Sequence, residues 1–170
     1  MEIDGHNVSS LFEGEDSLVS FSEDPRKHIP NMGSIIYTVW NKSGTFLYVG
    51  ISGLQKSIEK RNPQSRMVSH ASGRRSGDQF CVYIFEYYVI PMFARAFERN
   101  NSMGTLLKIK AYRSGLSKNS LDTATKKFIR RNLKYRFISF DSEDSDAIVR
   151  SLEKQIRAGA SGIKPRLNGV

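Results

Sequence analysis

The strongest indication of the fold of this chain is the run Ser34-Ile-Ile-Tyr-Thr-Val-Trp40, followed after a short polar break by Phe46-Leu-Tyr-Val-Gly50. β-Branched and aromatic residues dominate both runs, and such residues favour strands. The intervening Asn41-Lys-Ser-Gly44 has the composition of a turn. The pattern therefore predicts a β-hairpin with a short loop of about four residues. Tyr37 and Tyr48 then fall on adjacent strands, where they can face the same surface.

Further elements are predicted from the hydrophobic period and its breaks. The run Gln79–Ile90 alternates aromatic and aliphatic residues up to Pro91, which favours another strand. Ser145–Ala158 has an apolar stripe at helical spacing and acidic residues near its start, as the helix dipole favours. The other predictions are helices at Ser65–Ala71 and Leu121–Leu133, a mostly helical Ala94–Tyr112 interrupted near residues 100–104, a short helix or loop at Gln55–Arg61, and a strand at Lys134–Phe140. This mixture of α and β elements has no regular βαβ alternation.

The composition is that of one compact globular domain. The chain has 170 residues, of which 39% are hydrophobic, enough for one real core. Its one cysteine, Cys81, excludes an internal disulfide and a cysteine-clustered zinc site, and favours a reducing cytoplasm. No apolar stretch approaches the roughly 20 residues that span a bilayer. The acidic N-terminus does not resemble a signal peptide, so we expect no membrane association.

The charge is distributed unevenly along the chain. The net charge is +9, yet residues 1–24 contain seven acids and no Lys or Arg, so residues 25–170 carry 26 bases against 10 acids. So basic a body predicts a polyanionic partner, with a soluble basic domain lacking such a partner as the alternative. Residues 1–31 form an acidic lead-in with too many apolar residues for pure disorder. We expect this lead-in to pack partly onto the domain.

Positive charge is concentrated in two places. The loop of residues 72–77 carries Arg74 and Arg75. Six bases lie within eleven residues further on: Lys126, Lys127, Arg130, Arg131, Lys134 and Arg136. Contact with a DNA backbone is one interpretation, and it would position the substrate without reading its sequence. A solvated helix face is the other interpretation.

Several side chains could carry chemistry, although each one alone is commonly an ordinary structural residue. Arg66 and His70 are four apart and share a helical face. Arginine can grip a phosphate with two hydrogen bonds, and histidine can relay a proton near neutral pH. Glu153 flanks the apolar stripe of its helix, where a half-sheltered carboxylate suits a hard cation or simply pairs with Lys154 or Arg157. A phenol has an ordinary pKa near ~10, so a tyrosine is a poor base without help.

In their order along the chain, these residues resemble the GIY-YIG nuclease superfamily. The first tripeptide of that family appears as Ile35-Ile36-Tyr37, with Ile in place of the usual Gly, and the second appears as Tyr48-Val49-Gly50. The rest of the pattern is matched by Arg66, His70, Glu153 and, in Pro165-Arg-Leu-Asn168, by Asn168. The interval after Gly50 is longer than the compact family spacing, which makes Arg61 an alternative to Arg66. The segment 72–145 matches no family motif.

The resemblance implies an α/β (α+β) fold with a small central three-stranded antiparallel sheet flanked by helices. Residues 32–170 would then be a single nuclease domain, with added strand and helical elements at about 72–145. The implied activity is metal-dependent endonucleolytic hydrolysis of DNA. A restriction enzyme and a repair, recombination or mobile-element nuclease are equally open. A catalytically silent nucleic-acid-binding module on the same fold and a protein-interaction domain are the alternatives.

The resemblance also implies roles for individual residues. Mg²⁺ or Mn²⁺ bound by Glu153 would stabilise the leaving oxygen of the scissile phosphate. Tyr37 would accept a proton from the attacking water, with His70 or Tyr48 assisting. Arg66 would neutralise charge on the phosphate in the transition state, and Asn168 would brace the site. One such site cuts one strand, so cleavage of both strands would need a homodimer or two sequential events.

Overall fold

The computed structural model describes residues 1–15, 17–55, 57, 60–100 and 118–168. Its fold is a mixed α/β arrangement with antiparallel sheets. The strands are β1 (Glu2–Ile3), β2 (His6–Asn7), β3 (Val19–Ser20), β4 (Ser34–Asn41), β5 (Phe46–Ser52) and β6 (Leu133–Phe140). The helices are α1 (Gln64–Ser72), α2 (Gln79–Ile84), a π-helical turn (Phe85–Val89), α3 (Ile90–Asn100), α4 (Lys118–Asn132) and α5 (Ser145–Ala158), with 3-10 turns at Ser9–Leu11 and Pro25–Lys27.

The main sheet is built on the predicted hairpin. Its four strands have the order β3-β6-β4-β5 and all neighbours are antiparallel, while β1 and β2 form a separate two-stranded sheet. Tyr37 lies opposite Gly50 on one side and Phe137 on the other. The predicted hairpin and the predicted strand at Lys134–Phe140 are therefore confirmed. The helix at Ser145–Ala158 is confirmed with its predicted bounds, and those at Ser65–Ala71 and Leu121–Leu133 within a few residues.

The predicted strand at Gln79–Ile90 is wrong, because this segment is helical. An apolar run of this length suits either a strand or a buried helix, and tertiary packing chooses between them. Phe80, Cys81 and Ile84 turn one helical face into the core, and the side chain of Asp78 caps the helix by accepting a hydrogen bond from the Cys81 N–H. Of the predicted helix Ala94–Tyr112, the part up to Asn100 is observed and the remainder lies outside the described residues. The predicted helix or loop at Gln55–Arg61 also lies partly outside them.

Apolar side chains cover both faces of the main sheet. One face contributes Ile35, Tyr37 and Val39 to a core shared with residues of α1, α2 and α4. The other face contributes Ile36 and Trp40 to a second core, which α5 completes. The two faces follow from the alternation of side chains along β4.

The acidic lead-in packs against the sheet, as expected. Leu11 and Phe21 are fully buried, and β3 extends the sheet by pairing with β6. The guanidinium of Arg136 donates hydrogen bonds to the Gly14 carbonyl and the Ser17 hydroxyl. In the part of the chain that the structure describes, no helix combines the length and apolarity needed to cross a bilayer.

Candidate active site

Tyr37, Tyr48 and His70 form one cluster on the α1 side of the sheet. The Tyr37 hydroxyl lies 2.7 Å from Nε2 of His70. The ring centroids of the two tyrosines are 6.3 Å apart, and that of Tyr48 is 6.1 Å from that of His70. Tyr37 and His70 are buried, whereas Tyr48 is partly exposed. The hairpin therefore brings both phenols onto one imidazole.

Gly50 makes room for the two phenols. It lies opposite Tyr37 in the neighbouring strand. A Cβ atom added to Gly50 would lie 2.6 Å from Cζ of Tyr37 and 2.8 Å from Cε1 of Tyr48. Both separations are far below van der Waals contact, so even a methyl group would displace a ring. The glycine of the second tripeptide is a packing requirement of the cluster.

Asp78 is a member of the cluster that sequence reasoning missed. Its side chain is 1% exposed, and Oδ2 accepts hydrogen bonds from Nδ1 of His70 at 2.7 Å and from the Ser69 hydroxyl at 2.8 Å. Burial acts to raise the pKa of Asp78, but the hydrogen bond from His70 and the other favourable interactions outweigh it and lower the pKa. The sequence did offer a signal, because Asp is common at the position just before a helix. The strand predicted for Gln79–Ile90 concealed that signal.

The donors and acceptors of this chain of hydrogen bonds follow from Asp78. An ionised carboxylate can only accept, so in a neutral imidazole the ring proton is on Nδ1 and Nε2 is an acceptor. The Tyr37 hydroxyl then donates to Nε2. The direction of donation is from Tyr37 to His70 to Asp78.

Both phenols are electrostatically coupled to Arg66 and Glu153. Burial raises the pKa of Tyr37 well above its ordinary value and also raises the pKa of Tyr48. In each case the positive charge of Arg66 acts to lower the pKa, and the negative charge of Glu153 acts to raise it. A cation and a carboxylate from two different helices therefore act on the same pair of hydroxyls.

The two candidate arginines lie in different environments. Arg61 is 4% exposed, and its guanidinium donates to the backbone carbonyls of Gln55, Ser142 and Glu143. Its hydrogen bonds join the loop before α1 to the loop before α5. Arg66 is exposed and lines a cleft of about 300 Å³. The other residues lining this cleft are Ile51, Ser52, Gly53, Leu54, Ser65 and Ser69.

Glu153 and Asn168 lie on the α5 and C-terminal sides of the hairpin. The Glu153 side chain is 20% exposed and pairs with Arg157 at 3.4 Å. Its carboxylate oxygens are the hard donors that Mg²⁺ or Mn²⁺ takes, and one such side chain can suffice where phosphate supplies further ligands. The Asn168 side chain accepts from the Val49 N–H at 2.7 Å and donates to the Val49 carbonyl at 2.8 Å. Asn168 therefore braces the outer edge of β5 next to Tyr48.

Among the bases predicted to contact DNA, Arg75 and Arg136 are held by other residues of the protein, whereas the others are exposed. Arg75 pairs with Asp122 at 2.8 Å and stacks over the Phe85 ring, and Nε of Arg130 donates weakly to the Ala71 carbonyl. Arg136 is 8% exposed, stacks over Trp40 and is not available to a ligand. The exposed members are Arg74, Lys126, Lys127, Arg130, Arg131 and Lys134.

His70, Asp78 and Cys81 have ligand atoms within 4.8 Å of one another, a spacing that a metal ion could bridge. Both ring nitrogens of His70 are already hydrogen-bonded, Nδ1 to Asp78 and Nε2 to Tyr37. Burial raises the pKa of the Cys81 thiol, so the thiolate that a metal needs is disfavoured. We interpret the group as a hydrogen-bonded network.

Comparisons with protein-family models, with curated proteins and with solved structures found no match.

Proposed function

We propose that this protein is a metal-dependent DNA endonuclease of the GIY-YIG type. The observation that carries the proposal is the hydrogen bond from Tyr37 to His70. The charges of Arg66 and Glu153 also act on the pKa of this phenol. An acid–base pair, a phosphate-binding cation and a metal-binding carboxylate are the groups that hydrolysis of a phosphodiester needs. The antiparallel pairing of β6, β4 and β5 supports the proposal, since a three-stranded antiparallel sheet is expected for this type; β3 would then be an addition to it.

The burial of Tyr37 determines how it can act. A phenol whose pKa is raised well above its ordinary value is protonated at neutral pH. Such a phenol can take a proton from water only if it releases its own. We infer that the water attacks phosphorus and gives its proton to the Tyr37 oxygen as the Tyr37 proton passes to Nε2 of His70. The departing alkoxide leaves phosphorus as the bond to water forms.

The roles of Arg66 and Glu153 are to stabilise the negative charge on the phosphate. The exposed guanidinium of Arg66 borders the cleft and neutralises the negative charge that develops on the phosphoryl oxygens. Glu153 would hold Mg²⁺ or Mn²⁺, which supplies Lewis acidity at the phosphate and the leaving oxygen. The ion pair of Glu153 with Arg157 leaves the carboxylate within reach of a ligand, since both side chains are partly exposed.

The basic face positions the DNA. The exposed bases on α4 and in the loop that precedes α2 can contact phosphates without reading sequence. Binding through them is expected to weaken steeply as salt rises, because phosphate contacts release counterions.

The test is cleavage of supercoiled plasmid with Mg²⁺ or Mn²⁺ and with EDTA. We expect metal-dependent nicking that Glu153→Gln abolishes. Asp146→Asn is the matched control, because Asp146 forms a similar ion pair with Arg150 on the same helix and should cut as the wild type does. Tight binding of varied DNA without cutting would refute the nuclease and favour a silent binding module. Loss of both binding and cutting at low salt would refute the nucleic-acid partner.

A further inference from the structure

We propose that Asp78 is a positioning residue for this hydrolysis, because it holds His70 in the tautomer that can receive the proton of Tyr37. The inference rests on the proposed function and adds a residue that no motif of the sequence indicated. Asp78 does not contact the reacting atoms and acts through His70.

The geometry of Asp78 is that of a fixed acceptor. Its carboxylate and the His70 ring are each 1% exposed, so no solvent competes for the 2.7 Å hydrogen bond between them. Ser69 donates to the same oxygen, and the Cys81 N–H donates to the other oxygen at 3.3 Å. Three donors from two consecutive helices therefore hold the carboxylate in place. A fixed carboxylate on Nδ1 directs Nε2 of His70 at the Tyr37 hydroxyl.

The charge balance of the proton transfer also requires Asp78. When Nε2 takes the Tyr37 proton, the buried imidazole becomes a cation, and the carboxylate in contact with it offsets that charge. Among the described residues, the other groups around the ring offer no such compensation. Tyr37 and Tyr48 face the ring as neutral phenols, the Phe80 ring lies tilted at 4.4 Å between centroids, and Cys81 is a protonated thiol. Arg66, on the same helix, is a cation, and Glu153 acts on the two phenols from α5.

Asp78 also caps α2, so a purely structural role must be separated from the positioning role. Asp78→Asn separates the two roles. The carbonyl oxygen of the asparagine amide can still accept from the Cys81 N–H, which is a backbone donor fixed by the helix, so the cap is retained. The amide NH₂ then faces Nδ1 of His70 and forces that nitrogen to become the acceptor. Nε2 gains the ring proton and can no longer receive one from Tyr37. Asp78→Ser is the second variant, since serine retains the cap but cannot extend a carboxylate to His70.

The experiment combines cleavage rates with the ¹⁵N shifts of the His70 ring. We expect the wild-type ring proton on Nδ1 and the Asp78→Asn ring proton on Nε2, with cleavage slowed on the order of 10²- to 10⁴-fold and DNA affinity unchanged. Asp78→Ser should slow cleavage similarly. In a Tyr37→Phe background, Asp78→Asn should add no further loss, because the proton acceptor that it serves is absent.

The possible results distinguish a failure of the positioning role from a failure of the proposed function. A wild-type protein that cuts no DNA overturns the proposed function and the role of Asp78 in it. A wild-type protein that cuts, with Asp78→Asn at an unchanged rate or an unchanged tautomer, overturns the positioning role alone. Losses that add fully in the Tyr37→Phe background would also overturn it, since they would show that Asp78 acts independently of the phenol.

Discussion

The change of Gly50 to alanine tests whether the two phenols are packed as the structure shows. The added methyl would sit 2.6 Å from Cζ of Tyr37 and 2.8 Å from Cε1 of Tyr48. Tyr37 is fully buried and cannot move without leaving its hydrogen bond to His70. Overpacking of a core costs about 1–3 kcal/mol, and losing the hydrogen bond adds about 1 kcal/mol. We therefore expect Gly50→Ala to lower the free energy of unfolding by about 2–4 kcal/mol and to impair DNA cleavage.

The assay is urea denaturation of the wild type and of two glycine variants. Gly44→Ala is the matched control, because its added methyl meets nothing within 4 Å and strains only the backbone, whose φ is +75°. That strain should cost about 1–2 kcal/mol and leave cleavage intact. Gly50 has no such positive φ. If Gly50→Ala changed the free energy of unfolding by less than about 0.5 kcal/mol and cut DNA normally, the close packing of Tyr37 on Gly50 would be refuted.

Three further outcomes are expected. Arg66→Ala should slow cleavage by about 10²–10³-fold with the free energy of unfolding changed by less than about 0.5 kcal/mol. Arg61→Ala should lose about 3 kcal/mol or more, because it removes a buried guanidinium that donates to three carbonyls and to the buried Ser145 hydroxyl; equal stabilities in urea would contradict this. Because folding lowers the pKa of Asp78, its carboxylate stabilises the fold above the unfolded pKa of about 3.9, and this stabilisation is lost as pH falls through the folded pKa. The difference in free energy of unfolding between the wild type and Asp78→Asn should therefore narrow below about pH 4. The buried Tyr135 hydroxyl has no hydrogen-bond partner in the described part of the chain, so Tyr135→Phe should raise the melting temperature or leave it unchanged, and a clear decrease would reveal a partner.

Some parts of the fold could be read from local pattern. Two runs of β-branched and aromatic residues around a polar turn predict the hairpin of β4 and β5, and an apolar stripe with an acidic start predicts α5. The strand predicted for residues 79–90 was wrong, because the alternation of aromatic and aliphatic residues there also fits a buried helix. The deciding features there were the cap at Asp78 and the core that Phe80 joins. Neither feature is visible in the periodicity of the segment.

The candidate site divides in the same way. Its motif residues could be named from their order in the chain, and so could the sharing of a helical face by Arg66 and His70. The choice between Arg61 and Arg66 as the exposed arginine could not, because both are cations near one helix start and only packing buries Arg61. Asp78 was missed because the strand predicted for Gln79–Ile90 concealed its position before a helix, and only packing brings its carboxylate to His70.

The order of the residues along the chain was enough to predict the hairpin, the basic body and the set of chemical groups available to the protein. Which of these groups meet depends on tertiary packing: Tyr37 contacts His70 across 33 residues of chain, and Asn168 contacts Val49 across 119. Strand and helix patterns depend on neighbours a few residues apart, which a sequence displays directly. Hydrogen bonds, burial and pKa values depend on groups that folding brings together from distant parts of the chain.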